Sequence, residues 1–117
     1  MHKYLLFFSL LLLVHSVPAI AMPEMVITIR DHLFYPSEVI VPAGKKVKLI
    51  FINQDNTPEE LDSFELNREK VVFGNAKANV FIGPLEEGEY HFFGEYHPSS
   101  AVGKVIVVSP EVFNDVN

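Results

Sequence analysis

Apolar and polar residues alternate with a period of two along most of this chain. Met25 to Arg30 reads MVITIR, with Ile27 and Ile29 on one face and Thr28 and Arg30 on the other, the pattern of a half-buried strand. Asp31-His32-Leu33-Phe34-Tyr35-Pro36 follows as a bend, then Glu38 to Val41 as a strand and Pro42-Ala43-Gly44 as a turn. Lys46 to Asn53 (KVKLIFIN) is rich in β-branched and aromatic residues and apolar on both faces after Leu49, which predicts a central strand. Further strands are predicted over 61–66, 71–73, 77–82, 89–95 and 102–108. Gly83-Pro84-Leu85-Glu86-Glu87-Gly88 reads as a compact turn of the kind that joins antiparallel strands. Short strands with Pro and Gly punctuation and no long amphipathic helix predict an all-β sandwich or Greek-key barrel. Ser109-Pro110-Glu111 either caps a last short helix, with Ser at N-cap and Pro at its first position, or begins a frayed tail.

The opening residues break the period. Lys3 precedes an apolar run from Tyr4 to Val14, and Ala19-Ile20-Ala21 has the small-x-small form of a cleavage site. This reads as a secretory signal peptide over 1–21, followed by one domain over 22–109 and a tail over 110–117. The run is too short to span a hydrocarbon layer of roughly 30 Å as a helix. A secreted or periplasmic location follows as the expectation.

Composition narrows the chemistry. The chain has 117 residues and no cysteine, so a disulfide scaffold, a thiolate zinc site, an iron-sulfur cluster and a cysteine nucleophile are all excluded. Its formal net charge of −6 argues against nucleic acid or anionic lipid as a partner and suits the binding of cations. No phosphate-binding glycine loop, nucleophile elbow or zinc-protease His pair is present, so the domain is expected not to be an enzyme.

Two segments concentrate residues that can carry chemistry. Between Asp55 and Glu65 lie five carboxylates, Asp55, Glu59, Glu60, Asp62 and Glu65, and crowded carboxylates repel unless a cation offsets them. The same stretch also fits a helix start, with Thr57 at N-cap, Pro58 at N1 and Glu60 closing a capping box. The second segment, Tyr90 to Gly103, runs from a strand into a loop with Glu95 and His97, and imidazole ligates copper, zinc, iron and nickel well. By strand alternation His91 points away from Gly94 and reads as structural. His32 reads as an exposed loop residue, and Arg68-Glu69-Lys70 as a solvated turn.

Together these segments resemble a cupredoxin, and more closely the EfeO-type cupredoxin-like domains of secreted bacterial proteins associated with iron uptake. The pieces that carry the resemblance are Phe34-Tyr35-Pro36, Val41-Pro42-Ala43-Gly44, Asn53 with Pro58-Glu59-Glu60-Leu61, Gly83-Pro84-Leu85 before Gly88-Glu89-Tyr90, and Phe93-Gly94-Glu95-Tyr96-His97-Pro98 with Gly103. The resemblance implies a Greek-key β-sandwich with a metal site at one end, built from a His after the central strand and a Cys, a His and often a Met before the last strand. Here Glu59 stands at the first His, Gly94 at the Cys, His97 at the second His and Ala101 at the Met. A blue-copper centre needs the thiolate and is excluded.

What the resemblance leaves is a harder oxygen-and-nitrogen site. Glu59 and His97 are its expected primary ligands, with Glu60 and Glu95 as auxiliary ones, although strand parity sets Glu95 opposite Gly94. Such a site would hold a single Cu(II) or iron ion, with zinc behind them. The implied role is an accessory in metal uptake that presents its ion to a membrane permease or another periplasmic component. The alternative is a metal-free module on the same scaffold, whose acidic loops dock a basic partner.

Overall fold

A computed structural model of the chain describes residues 3–15 and 21–117. Of the expected cleavage signature, Ala19 and Ile20 lie outside the described residues. Residues 3–15 carry no regular secondary structure, and among the described residues no helix is long and apolar enough to cross a membrane.

Among the described residues, nine strands and one helix follow in chain order. They are β1 (Glu24–Arg30), β2 (Leu33–Tyr35), β3 (Glu38–Pro42), β4 (Val47–Asn53), β5 (Glu59–Ser63), β6 (Arg68–Val72), β7 (Lys77–Ile82), β8 (Gly88–Gly94), β9 (Val102–Val108) and α1 (Pro110–Val116). One sheet has the order β2-β1-β4-β7 and the other β3-β9-β8-β5-β6. Both are mixed, because β1 pairs with β4 and β3 with β9 in parallel while the remaining pairs are antiparallel. The fold is the expected all-β Greek-key sandwich.

Several local expectations change in three dimensions. The segment read as a bend before Pro36 contains β2, a three-residue strand on the sheet edge. Arg68-Glu69-Lys70 opens β6 instead of making a turn, since its residues pair with Asp62 and its neighbours on β5. Glu59 and Glu60 begin β5, so the capping-box helix does not form. The 83–88 turn joins β7 to β8, which belong to different sheets, so it crosses the sandwich and does not close a hairpin. The tail is helical, with the Ser109 hydroxyl accepting from the Val112 N–H at 3.3 Å.

Alternation puts one face of each strand into the core. Ile27, Ile29, Leu49 and Phe51 of the first sheet meet Leu61, Phe92, Val105 and Val107 of the second, all buried. The centre is an aromatic triad in which Phe34, Phe51 and Phe92 meet edge to face at centroid distances of 5.1 to 6.0 Å. Gly103 makes room for it, because a β-carbon there would stand 2.5 Å from Phe92 Cζ.

At one end of the sandwich the exit of β4 is tied to β5 and β6 through Asn53, which is buried. Its amide Nδ2 donates to the carbonyls of Thr57 (2.9 Å) and Val72 (3.1 Å), and its Oδ1 accepts from the Asp55 N–H at 3.0 Å. The β1–β2 turn, the start of β5 and the end of β8 all gather at this end.

Truncation of the triad tests the packing. Phe92→Ala should destabilise the fold by about 3–5 kcal/mol, read as a lower midpoint in denaturant unfolding without a change of slope.

Candidate metal centre

Glu59 is the first residue of β5, and strand alternation turns its side chain inward, where it is only 2% exposed. A buried carboxylate needs donors. Glu59 Oε1 accepts from the Tyr96 N–H at 2.9 Å and from the Glu60 N–H at 3.1 Å. Oε2 lies 2.7 Å from Nδ1 of His97, a hydrogen bond between the carboxylate and the imidazole. The loop after β8 holds His97 in a tight turn, through its N–H to the Gly94 carbonyl (3.1 Å) and the Ala101 N–H to its own carbonyl (2.9 Å).

A third side chain completes the group. His32 stacks on His97 with ring centroids 3.5 Å apart and planes 10° from parallel. His32, Glu59 and His97 each bring a ligand atom within 4.8 Å of the others, a nitrogen, nitrogen and oxygen set able to hold a metal ion. His97 keeps an opening to solvent, with 30% of its side chain exposed.

Of the residues singled out from sequence, Glu59 and His97 are in contact, whereas Glu60 and Glu95 do not join them. The alternation that buries Glu59 sends Glu60 to the outer face of the sheet, where the Glu95 N–H donates to the Glu60 carbonyl at 2.8 Å. Glu60 instead groups with Asp62 and Glu69, and Glu95 reaches the same Asp62. There, burial, followed by repulsion from Glu60 and hydrogen bonding to Glu95, pushes the Asp62 carboxyl up to about 7. Its Oδ1 is buried without a hydrogen-bond partner. A surface cavity of about 410 Å³ on this side is lined by Asp62, Phe64, Asn67 and Arg68, and neither imidazole of the inner group reaches it.

His91 points outward and pairs with Glu65 at 3.3 Å. The backbone N–H of His91 holds the Glu65 carboxyl below its usual range. His32, read from sequence as a loop residue, is the member that sequence reasoning missed. The signal available was its place in an Asp-His step between two alternating runs, which the structure shows to be a two-residue hairpin loop.

Glu59, Gly94, His97 and Ala101 come together at this end of the sandwich. A β-carbon on Gly94 would stand 2.5 Å from Glu59 Cδ and 2.7 Å from the Ala101 β-carbon, so the carboxylate already fills the space beside residue 94. With no cysteine in the chain and no room at Gly94 for a side chain, these residues do not fit a blue-copper centre.

Comparison with known proteins agrees with the architecture. The profile described as cupredoxin-like domain matches residues 3–107. The chain is 44% identical over 84 residues to the uncharacterized protein RP394 of Rickettsia prowazekii (strain Madrid E), covering 72% of this chain and 67% of that one. It is 32% identical over 85 residues to the chloroplastic plastocyanin B of Populus nigra, covering 63% of this chain and 51%, about half, of the plastocyanin. Among solved structures, auracyanin A, a "blue" copper protein from Chloroflexus aurantiacus, superposes with a TM-score of 0.66 at 16% identity, covering 75% of this chain and 100% of that chain. The metal-binding domain of the Cu(I)-exporting P-type ATPase CopA of Streptococcus pneumoniae superposes with a TM-score of 0.63 at 16% identity, covering 74% and 85%. At such identities the two structures share the fold.

The outer cluster makes a pH prediction. Asp62 has its carboxyl raised to about 7, so the fold favours the protonated form, and this contribution is lost as pH rises from the ordinary Asp value towards 7. Asp62→Asn, which keeps a donor for its acidic neighbours, should therefore stabilise the protein at about pH 8 by roughly 1 kcal/mol after surface screening. The gain should vanish by about pH 4, as followed by thermal unfolding across the range.

Proposed function

The chain belongs to the cupredoxin-like domain family, and from that premise we propose that it is a secreted metal-binding protein that carries Cu(II) or iron on Glu59, His97 and His32. The observation that carries this reading is the convergence of these three side chains at one end of the sandwich. A carboxylate and two imidazoles make a harder donor set than the thiolate site of a blue-copper protein, and the affinity order of divalent ions favours Cu(II) on it. Bound there, the ion would be cargo, and a domain without its thiolate is not an electron carrier of the blue-copper kind. The stacked rings lie in near-parallel planes, so ligation by both requires one to tilt out of the stack.

The rest of the role rests on sequence character. The apolar run from Tyr4 to Val14 with the Ala19-Ile20-Ala21 signature supports export, and the likeness to EfeO-type domains supports an accessory part in iron or copper uptake. A membrane permease, or another periplasmic component of such a system, is the corresponding partner. The protein acts by binding and presentation, without catalysis.

One observation favours a second reading. The Glu59 carboxylate already takes three contacts, two from backbone N–H groups and one from His97, and so is satisfied without an ion. In that case the domain is a metal-free module, and the outer acids Glu60, Asp62, Glu69 and Glu95 form the surface for a basic partner.

Anaerobic calorimetric titration of the metal-stripped protein with Cu(II), Zn(II) and Fe(II) separates the two. Saturable one-site binding, tightest for Cu(II), is expected, with loss in Glu59→Ala and in His97→Ala. Binding should also weaken on acidification, because imidazole must shed its proton to ligate. Absence of binding, or binding indifferent to both variants, would overturn the metal reading in favour of the second.

A further inference from the structure

Asp31 and His32 are the whole loop between β1 and β2, because Arg30 pairs with Leu33 across the hairpin. Both have left-handed backbones, with φ of 53° and 59°, the signature of a type I′ turn in which Asn-Gly is the easy sequence. Aspartate suits the first position, but the histidine stands where glycine is usual and carries a β-carbon in a region that disfavours one, so the strain falls on His32. Such a turn persists only where its surroundings hold it.

The surroundings are supplied mainly by one residue far along the chain. Asp55 Oδ1 accepts from the Asp31 N–H at 2.8 Å, and Oδ2 accepts from the His32 N–H at 3.1 Å. The same Oδ2 stands 3.5 Å from the His32 ring Nδ1. Asp55 is itself fixed by its N–H to Asn53 Oδ1 and by its carbonyl, which accepts from the Asn75 N–H at 2.8 Å. Burial acts to raise the Asp55 carboxyl, yet the N–H groups of His32 and Asp31 more than offset it and hold the carboxyl below its usual range. From the other side, the Ser100 hydroxyl donates to the His32 carbonyl at 2.9 Å, which ties the turn to the loop that carries His97.

We propose that Asp55 is a positioning residue: it holds the strained Asp31-His32 turn so that the His32 imidazole lies against His97 and can serve the ion as its second nitrogen ligand. The part concerning the ion rests on the metal reading above; the placement of the ring does not. Carboxylates behind ligating histidines commonly orient the ring, and their loss weakens metal binding about ten- to a hundredfold.

The test uses Asp55→Ala and Asp55→Asn beside the wild type, with His32→Ala as reference. In the metal-free protein, NMR shifts of the His97 ring protons report the stacked His32 ring. Asp55→Ala should move them to their His32→Ala positions, and Asp55→Asn, which keeps one acceptor oxygen for the turn, should fall between. With Cu(II), electron paramagnetic resonance should show two nitrogen ligands in the wild type and one in Asp55→Ala, with affinity about ten- to a hundredfold lower. If Asp55→Ala fails to fold, the isosteric Asp55→Asn carries the comparison. Unchanged His97 shifts together with two retained nitrogens would overturn the proposal. If the wild type takes up no Cu(II), the metal reading falls, and the ring shifts alone uphold or overturn the role of Asp55 in placing His32.

Discussion

A carboxylate buried at the end of a β-sandwich is the constraint on which the rest of this end depends. Glu59 is 2% exposed, and a carboxylate so placed is tolerable only with hydrogen-bond partners arranged around it. The chain supplies them from the loop that follows β8, through the Tyr96 N–H and the His97 ring, and from its own next peptide N–H. That requirement fixes the path of residues 94–101. It also explains Gly94, since a side chain there would collide with the carboxylate.

The strand that buries Glu59 also separates the acids. With a period of two, β5 sends Glu59, Leu61 and Ser63 inward and Glu60 and Asp62 outward. A run of carboxylates that looks like one patch along the chain thus becomes two environments of opposite character. Inside, two backbone N–H groups and the His97 imidazole satisfy the Glu59 carboxylate. Outside, Asp62 faces Glu60, Glu95 and Glu69, and its carboxyl is raised to about 7. The inner set brings one oxygen and two nitrogen donors together, whereas the outer set resists its own ionisation.

Much of this was legible in the chain because alternation reports which face of a strand is buried. The strands from Met25, Lys46, Lys77 and Val102 fall where their patterns put them, and Glu59 and His97 were visible through resemblance to cupredoxins. What alternation cannot show is pairing between distant strands. The parallel partnerships of β1 with β4 and β3 with β9, and the crossing of the 83–88 turn between sheets, come from the three-dimensional arrangement. His32 was hidden for a different reason. Its turn uses Asp-His where Asn-Gly would have announced a hairpin, and the residue that makes this possible, Asp55, lies on the far side of β3 and β4 in sequence. Glu60 and Glu95 were drawn towards the site by closeness in sequence, but strand parity turns Glu60 outward, and Glu95, in the turn after β8, reaches Asp62 instead.

The most direct test of the central claim is to locate a bound ion by paramagnetic broadening. Substoichiometric Cu(II) added to isotopically labelled, metal-stripped protein should erase amide signals around His32, Glu59 and His97 first and leave those of Asp62 and Glu69 sharp. Broadening centred instead on Asp62 and Glu69, or none at all, would contradict the account of the buried carboxylate and its two imidazoles as a metal centre.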